Sequence, residues 1–168
     1  MRYMLLSPAD QQTLLEQLSG MPAFLDEAFG GMSAADARAE GADGFSPVEQ
    51  CWHLADLEGQ GYGVRIRRLL TEENPLLPDF DGARVAEERQ YRSLPLGQGL
   101  QAFRDARMAN VRALRSVPES DWERPGRQDG VGALALCDLP AMMAEHDAGH
   151  RAEIQAWIRE QGAEKKRT

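Results

Sequence analysis

Four long stretches of this 168-residue chain carry apolar residues at intervals of three and four, and prolines and other turn-forming residues separate them. This interval corresponds to one face of an α-helix, so each stretch predicts an amphipathic helix. A capping residue or a proline in the first turn marks each start, as at Ser7–Pro8 and Ser46–Pro47. The predicted helices cover residues 8–29, 47–72, 95–117 and 139–161.

The segments between the helices are mostly too long for simple turns. Residues 31–44 are polar, residues 74–94 are expected to contain a short local helix, and residues 119–137 are predicted to form a loop. Pro22 is expected to kink or break the first helix, because proline removes a helical hydrogen bond. We therefore predict an all-α fold, a four-helix bundle with long connections between helices, as one domain over residues 1–168.

The charge of the chain disfavours some classes of binding partner. It has 27 acidic and 19 basic side chains, a net charge of -8, and its longest basic run is Lys165–Arg167. Nucleic acids and anionic membranes attract clustered cations, so neither is an expected partner. No segment approaches the roughly 20 apolar residues of a membrane span, and Met1–Leu6 is too short for a secretory signal. We expect a cytoplasmic protein whose two cysteines are reduced.

The placement of the histidines is the most informative feature, because the chain has only three. His146 and His150 belong to the apolar stripe of the last predicted helix. Residues four apart lie about 40° from each other around a helix and roughly 6 Å along it, so both imidazoles can reach one ion. The full stripe consists of Leu139, Met143, His146, His150, Ile154 and Trp157.

The third histidine, His53, lies on the inward stripe of the second predicted helix, followed by Leu57 and Gly61. Three neutral imidazoles from two facing helices would bind a divalent ion such as zinc or nickel and leave positions for water or substrate. The alternative is that all three are core histidines with ordinary hydrogen-bond partners. Helical spacing does not show whether His53 reaches the same depth as His146 and His150.

Other polar residues near the histidines are weaker candidates. Asp56 is displaced about 60° from His53 and could act as a hydrogen-bond acceptor or general base, whereas Glu58, at about 140°, is expected to point elsewhere. Asp147 is expected to be a surface charge. Cys51 is on the wrong face to join His53 and is expected to be a packed core residue, and Cys137 is too far from His146 for ligation.

Two further groups have both a functional and a structural interpretation. Three alternating glycines within the second helix could make room for a ligand or, as we expect, for a neighbouring helix. A basic and aromatic group in the second connection could form a lid or an anion-binding edge, although an ordinary connecting helix is the simpler interpretation. These groups are Gly59, Gly61 and Gly63, and Arg89, Tyr91 and Arg92.

Two segments resemble those of a known family. The segment 46–56, SPVEQCWHLAD, and the segment 139–150, LPAMMAEHDAGH, are similar to segments of the DinB-like superfamily of metal-binding four-helix bundles. The resemblance implies that His53, His146 and His150 bind one divalent metal ion. It also implies a metal-dependent hydrolase, or a transferase or isomerase that uses a low-molecular-weight thiol. An open position on a bound ion would lower the pKa of a thiol or of water and make it a nucleophile.

The sequence leaves three classes of function open. The first is a metal-dependent enzyme acting on a small-molecule substrate, for which no catalytic residue is assigned. The second is a non-catalytic binding or stress-related interaction module in which the metal staples two helices. The third is a metal-free helical interaction protein. A homodimer is expected in addition, because bundle surfaces often pair with a second copy.

Overall fold

The computed structural model describes residues 6–41 and 44–164, so the Lys165–Arg167 run and most of Met1–Leu6 lie outside the described residues. The predicted all-α four-helix bundle is confirmed. Helix α2, a π-helical turn and α3 follow one another without interruption and form the second long helix. The α-helices are α1 (Pro8–Phe29), α2 (Pro47–Asp56), α3 (Gly63–Thr71), α4 (Gly82–Arg89), α5 (Leu96–Arg115) and α6 (Leu139–Glu164). The π turn is Leu57–Tyr62, and short 3-10 turns are Asp36–Arg38, Tyr91–Ser93, Glu119–Asp121 and Leu136–Asp138.

The predicted capping residues start the helices where expected. In α1, the Asp10 backbone N–H donates to Ser7 Oγ, and the Ser7 N–H donates back to the Asp10 carboxylate, each at 3.2 Å. In α2, the backbone N–H and the hydroxyl of Ser46 both donate to Glu49, at 3.0 and 2.7 Å. These bonds satisfy backbone N–H groups that have no partner within the helix, so local sequence determines both starting points.

Of the predicted kink or break at Pro22, the break does not occur, because helix α1 continues through the proline. Proline cannot donate to the carbonyl four residues earlier, which here belongs to Leu18. That carbonyl instead accepts a hydrogen bond from Arg107 Nη1 of α5 at 3.1 Å. The apolar side chains around the proline, such as Met21 and Leu25, are fully buried. A tertiary hydrogen bond and core packing thus offset the local defect.

A small sheet replaces part of the loop predicted for residues 119–137. Strands β1 (Leu76–Leu77), β2 (Pro125–Gln128) and β3 (Gly132–Ala135) pair in that order, with β1 parallel to β2 and β2 antiparallel to β3. Gly130 and Gly132 have positive φ values of 76° and 97°, which form the hairpin turn. A Cβ on Gly126 would lie 2.7 Å from Leu69 Cδ2, so glycine lets β2 lie close to α3.

Among the residues that the structure describes, the buried apolar side chains form two clusters along the bundle. Helix α6 contributes Met143 to the first cluster and Ile154 to the second, and His146 and His150 lie between these two positions. Within residues 6–41 and 44–164, no helix is both long enough and apolar enough to cross a bilayer. The candidate site therefore lies at the junction of the two clusters, between α2 and α6.

Candidate metal centre

The structure brings the three histidines together. One potential ligand atom from each of His53, His146 and His150 lies within 4.8 Å of those of the other two. The ring centroid of His53 is 5.7 Å from that of His146 and 5.1 Å from that of His150. Helix α2 therefore places His53 at the depth of the pair on α6, which helical spacing alone does not reveal.

The spacing of the nitrogens fits a shared ion. The Nε2 atoms of His146 and His150 are 3.1 Å apart. Two imidazole nitrogens that each bind an ion at about 2.0–2.1 Å, at ordinary angles, are about 2.9–3.4 Å apart. In the described part of the chain, Nδ1 of His53 is buried without a hydrogen-bond partner. A core histidine would normally have that partner, so the site fits a divalent ion better than a hydrogen-bonded core.

Gln50 and Glu153 orient the ring of His150. Its Nδ1 lies 2.7 Å from Gln50 Oε1 and 3.0 Å from Glu153 Oε2, and the Gln50 amide donates to the same carboxylate at 2.9 Å. Both acceptors favour a proton on Nδ1, which leaves the Nε2 lone pair directed at the cluster. Sequence reasoning missed both residues. Their spacing could have revealed them, because Gln50 lies three residues before His53 and Glu153 lies three residues after His150.

Aromatic and backbone groups enclose the histidines. The rings of Phe45 and Phe80 lie 5.6 and 6.2 Å from that of His53, and the Tyr62 ring lies 6.4 Å from that of His146. A Cβ on Gly82 would lie 2.7 Å from His53 Cε1, so glycine lets the first residue of α4 pack against the ring. This enclosure leaves His150 buried and His53 and His146 partly exposed.

The enclosure keeps the imidazoles neutral. Burial lowers the pKa of His53 to about 4 and that of His146 to about 3, and the neighbouring histidine charge adds to both effects. Burial also lowers the pKa of His150, although the nearby Glu153 opposes this shift. Neutral imidazole is the form that binds metal, so the three histidines are in the ligand-ready state at neutral pH.

The metal-free protein is expected to lose stability between pH 6.5 and 5. Unfolded histidine has a pKa of about 6.5, above the folded values, so the unfolded chain binds more protons in this range. The penalty is absent above pH 6.5 and grows as the pH drops, to about 2 kcal/mol for each of His53 and His146 at pH 5. Urea unfolding at pH 7.5 and 5 measures it. A variant with His53 and His146 replaced by asparagine should lose less, and an equal loss would contradict the assignment.

Asp56 does not serve the histidines directly. Its carboxylate is buried and accepts hydrogen bonds from the Tyr91 hydroxyl at 2.7 Å and from Arg89, whose guanidinium also stacks on Trp52 at 4.8 Å. Within the described ranges, no hydrogen bond joins Asp56 to His53. Through its hydrogen bonds from Arg89 and Tyr91, Asp56 therefore links α2 to the end of α4 and the turn that follows it.

Asp147 is not a surface charge, contrary to the prediction. Only 5% of it is exposed, and its two carboxylate oxygens accept hydrogen bonds from Arg107 at 2.6 and 2.8 Å. Arg107 also donates to Glu58 at 3.0 Å, and the Asn110 amide donates to Glu58 at 2.8 Å. Arg107 could have revealed the burial of Asp147 from the sequence. It is a cation within the apolar stripe of the third predicted helix, and a buried cation needs buried carboxylates near it.

The alternating glycines lie in and beside the π turn, next to α5. The Gly63 backbone N–H donates to the carbonyl of Glu58, five residues earlier, and that carbonyl also accepts from Asn110 at 2.9 Å. A Cβ on Gly63 would lie 3.1 Å from Asn110 Oδ1. The glycine at 63 thus allows a neighbouring helix to approach. π turns occur often at functional sites, and this one lies one turn after His53.

The two cysteines are free and buried, and neither belongs to the histidine cluster. Burial raises the pKa of Cys51 above its ordinary value and that of Cys137 to about 11. Both thiols therefore stay protonated at neutral pH, which agrees with the interpretation of Cys51 as a packed core residue.

Three comparisons with known proteins bear on the site. The sequence model of the DinB superfamily matches residues 17–154. A curated protein of Oceanobacillus iheyensis, named "Putative metal-dependent hydrolase", is 28% identical over 102 residues, which cover 61% of this chain and 58% of that protein. The chain thus matches little more than half the length of this relative.

The bundle also resembles a solved structure. Its description reads "YfiT from Bacillus subtilis is a probable metal-dependent hydrolase with an unusual four-helix bundle topology". The TM-score is 0.85 at 20% sequence identity, and the match covers 94% of this chain and 90% of the other. At this identity the likeness establishes the fold alone.

Proposed function

The chain belongs to the DinB superfamily, and on this premise we propose that it is a metal-dependent enzyme whose His53, His146 and His150 hold one divalent ion, zinc or nickel. The observation that carries the proposal is the convergence of three neutral imidazoles, with two Nε2 atoms only 3.1 Å apart. The substrate is a small molecule that reacts at the positions left open on the ion.

The donor set supports catalysis over a purely structural role. Within the described ranges, the cluster contains the three histidines and no cysteine or carboxylate. Structural zinc sites close their coordination with four protein ligands, whereas catalytic sites use three and keep a position for water or substrate. A divalent ion bound here supplies Lewis acidity and lowers the pKa of a bound water or thiol.

This chain's own residues orient the donors and exclude water. Gln50 and Glu153 keep the proton of His150 on Nδ1, and the aromatic rings around His53 and His146 limit access of solvent. Hydrolysis is the reaction class named for both relatives. Transfer of a low-molecular-weight thiol is the second candidate, because the three histidines do not specify which nucleophile binds.

A cobalt titration tests the proposal. We expect purified metal-free protein to bind one equivalent of Co²⁺, a spectroscopic substitute for zinc, with the visible spectrum of a site of low coordination number. Addition of cysteine then separates the candidate nucleophiles: a new thiolate-to-cobalt absorption band favours a thiol-dependent transferase, whereas its absence favours a hydrolase if imidazole still changes the spectrum. Failure to bind Co²⁺, Zn²⁺ or Ni²⁺ would exclude a metal-dependent enzyme.

A non-catalytic metal staple predicts a different result. Its coordination would be closed, so neither cysteine nor a small ligand such as imidazole would change the cobalt spectrum. If the wild-type protein binds cobalt but the cobalt exchanges no ligand, a purely structural metal site replaces the enzyme proposal.

A further inference from the structure

Arg65 on α3 is a buried cation without a carboxylate partner in the described part of the chain. Only 4% of the residue is exposed. Its guanidinium lies 5.3 Å from the centre of the Tyr62 ring, and its Nε donates to the carbonyl of Pro78 at 3.3 Å. Asp79 acts on its charge, but no ion pair between Arg65 and Asp79 is present among the described residues. Burial lowers the pKa of Arg65, although Tyr62 and Asp79 oppose this shift.

Other arginines of this bundle contrast with Arg65. Arg107, which is more deeply buried than Arg65, binds the carboxylates of Glu58 and Asp147. Arg68, one turn further along α3, binds Glu72 at 2.7 Å. Removing a cation from water without a counter-charge is costly, so a buried arginine normally has one in the fold or receives it from a ligand.

The free edge of the guanidinium is available to a ligand. Among residues 6–41 and 44–164, the two terminal nitrogens of Arg65 have no hydrogen-bond partner, yet they are absent from the set of fully buried unpaired atoms. They therefore keep some contact with solvent. Two parallel N–H groups on the edge of a planar guanidinium match the two oxygens of a carboxylate.

Arg65 is also close to the histidines. The Tyr62 ring, which the Arg65 guanidinium contacts, lies 6.4 Å from the ring of His146. The charge of Arg65 contributes to the lowered pKa of His146. Arg65 and His146 are thus both neighbours of the Tyr62 ring.

We propose that Arg65 binds a carboxylate group of the substrate, next to the histidine triad. The inference rests on the proposed function, which it deepens by naming an anionic substrate class. A carboxylate fits better than a phosphate dianion, because Arg65 offers one positive charge and Arg107 is already neutralised by two carboxylates. Arg65 binds and orients the substrate and takes no part in proton transfer.

Ligand titrations of cobalt-loaded protein test the proposal, with acetate as the anionic probe and imidazole as the neutral one. We expect Arg65→Gln to weaken acetate binding about tenfold or more, since hydrogen bonds to charged groups contribute this much, and to leave imidazole binding unchanged. Arg65→Lys should restore part of the acetate affinity. Arg67→Gln is the matched control, because it removes the same charge from an exposed position on α3 and should change neither affinity.

Equal acetate affinity in wild type and Arg65→Gln, or an equal loss for imidazole, would overturn the proposal. A second measurement does not depend on metal: in metal-free protein, acetate should shift the Arg65 Nε–H signal in a nitrogen-15 NMR spectrum and leave that of Arg67 in place. If cobalt does not bind, the proposed function fails, and this NMR result still decides whether Arg65 binds a carboxylate.

Discussion

Replacement of Arg107 by methionine is expected to lower the free energy of unfolding by about 3–5 kcal/mol, because it leaves buried carboxylates without a counter-charge. The guanidinium is 1% exposed and holds Glu58 and Asp147 from two different helical segments. It also donates to the Leu18 carbonyl that Pro22 leaves unpaired. One substitution thus removes partners from α1, the π turn and α6. Urea unfolding of the metal-free protein measures the loss.

Arg104→Met is the matched control for this measurement. Arg104 lies one turn earlier on α5 and forms a half-exposed ion pair with Asp26, for which a loss of about 0–1 kcal/mol is expected. A loss for Arg107→Met as small as that of the control would show that Glu58 and Asp147 do not depend on Arg107 as their counter-charge, contrary to the network described above.

The substitution His146→Ala is expected to lower the affinity for zinc by more than about 100-fold. Loss of a residue that only hydrogen-bonds a metal ligand already costs about 10–100-fold, so loss of a ligand should cost more. The metal analysis of purified protein and the rise in melting temperature on adding zinc both report the change, since a ligand of the folded state stabilises it more as its concentration rises above the dissociation constant.

Gln155→Ala provides the control for His146→Ala, because Gln155 is exposed on the same helix and outside the histidine cluster. It should keep the wild-type metal content and the wild-type thermal shift. If the metal content were equally low in wild type, His146→Ala and Gln155→Ala, the three histidines would be core residues and not metal ligands. The metal-free His146→Ala variant must also be compared by urea unfolding, since the buried Asp147 adjoins the substituted position.

The local chemistry of the chain predicted the helices well. The hydrogen bonds between Ser7 and Asp10 and between Ser46 and Glu49 join residues only three positions apart, so the residue pattern alone specifies them. The inward positions of His146 and His150 follow equally from helical periodicity. The break expected at Pro22 does not occur because Arg107, which is distant in sequence, binds the Leu18 carbonyl, and the partner of β2 in strand β1 is likewise distant.

By itself, the sequence determined the class of the fold, the starts of its long helices and the two histidines that share one face of α6. Only the tertiary structure decided that His53 meets this pair, that Asp147 is buried against Arg107, and that Arg65 lies buried without a carboxylate partner in the described residues. The physical reason is that periodicity specifies direction around one helix axis, whereas ligation and ion pairing depend on how two axes are placed against each other.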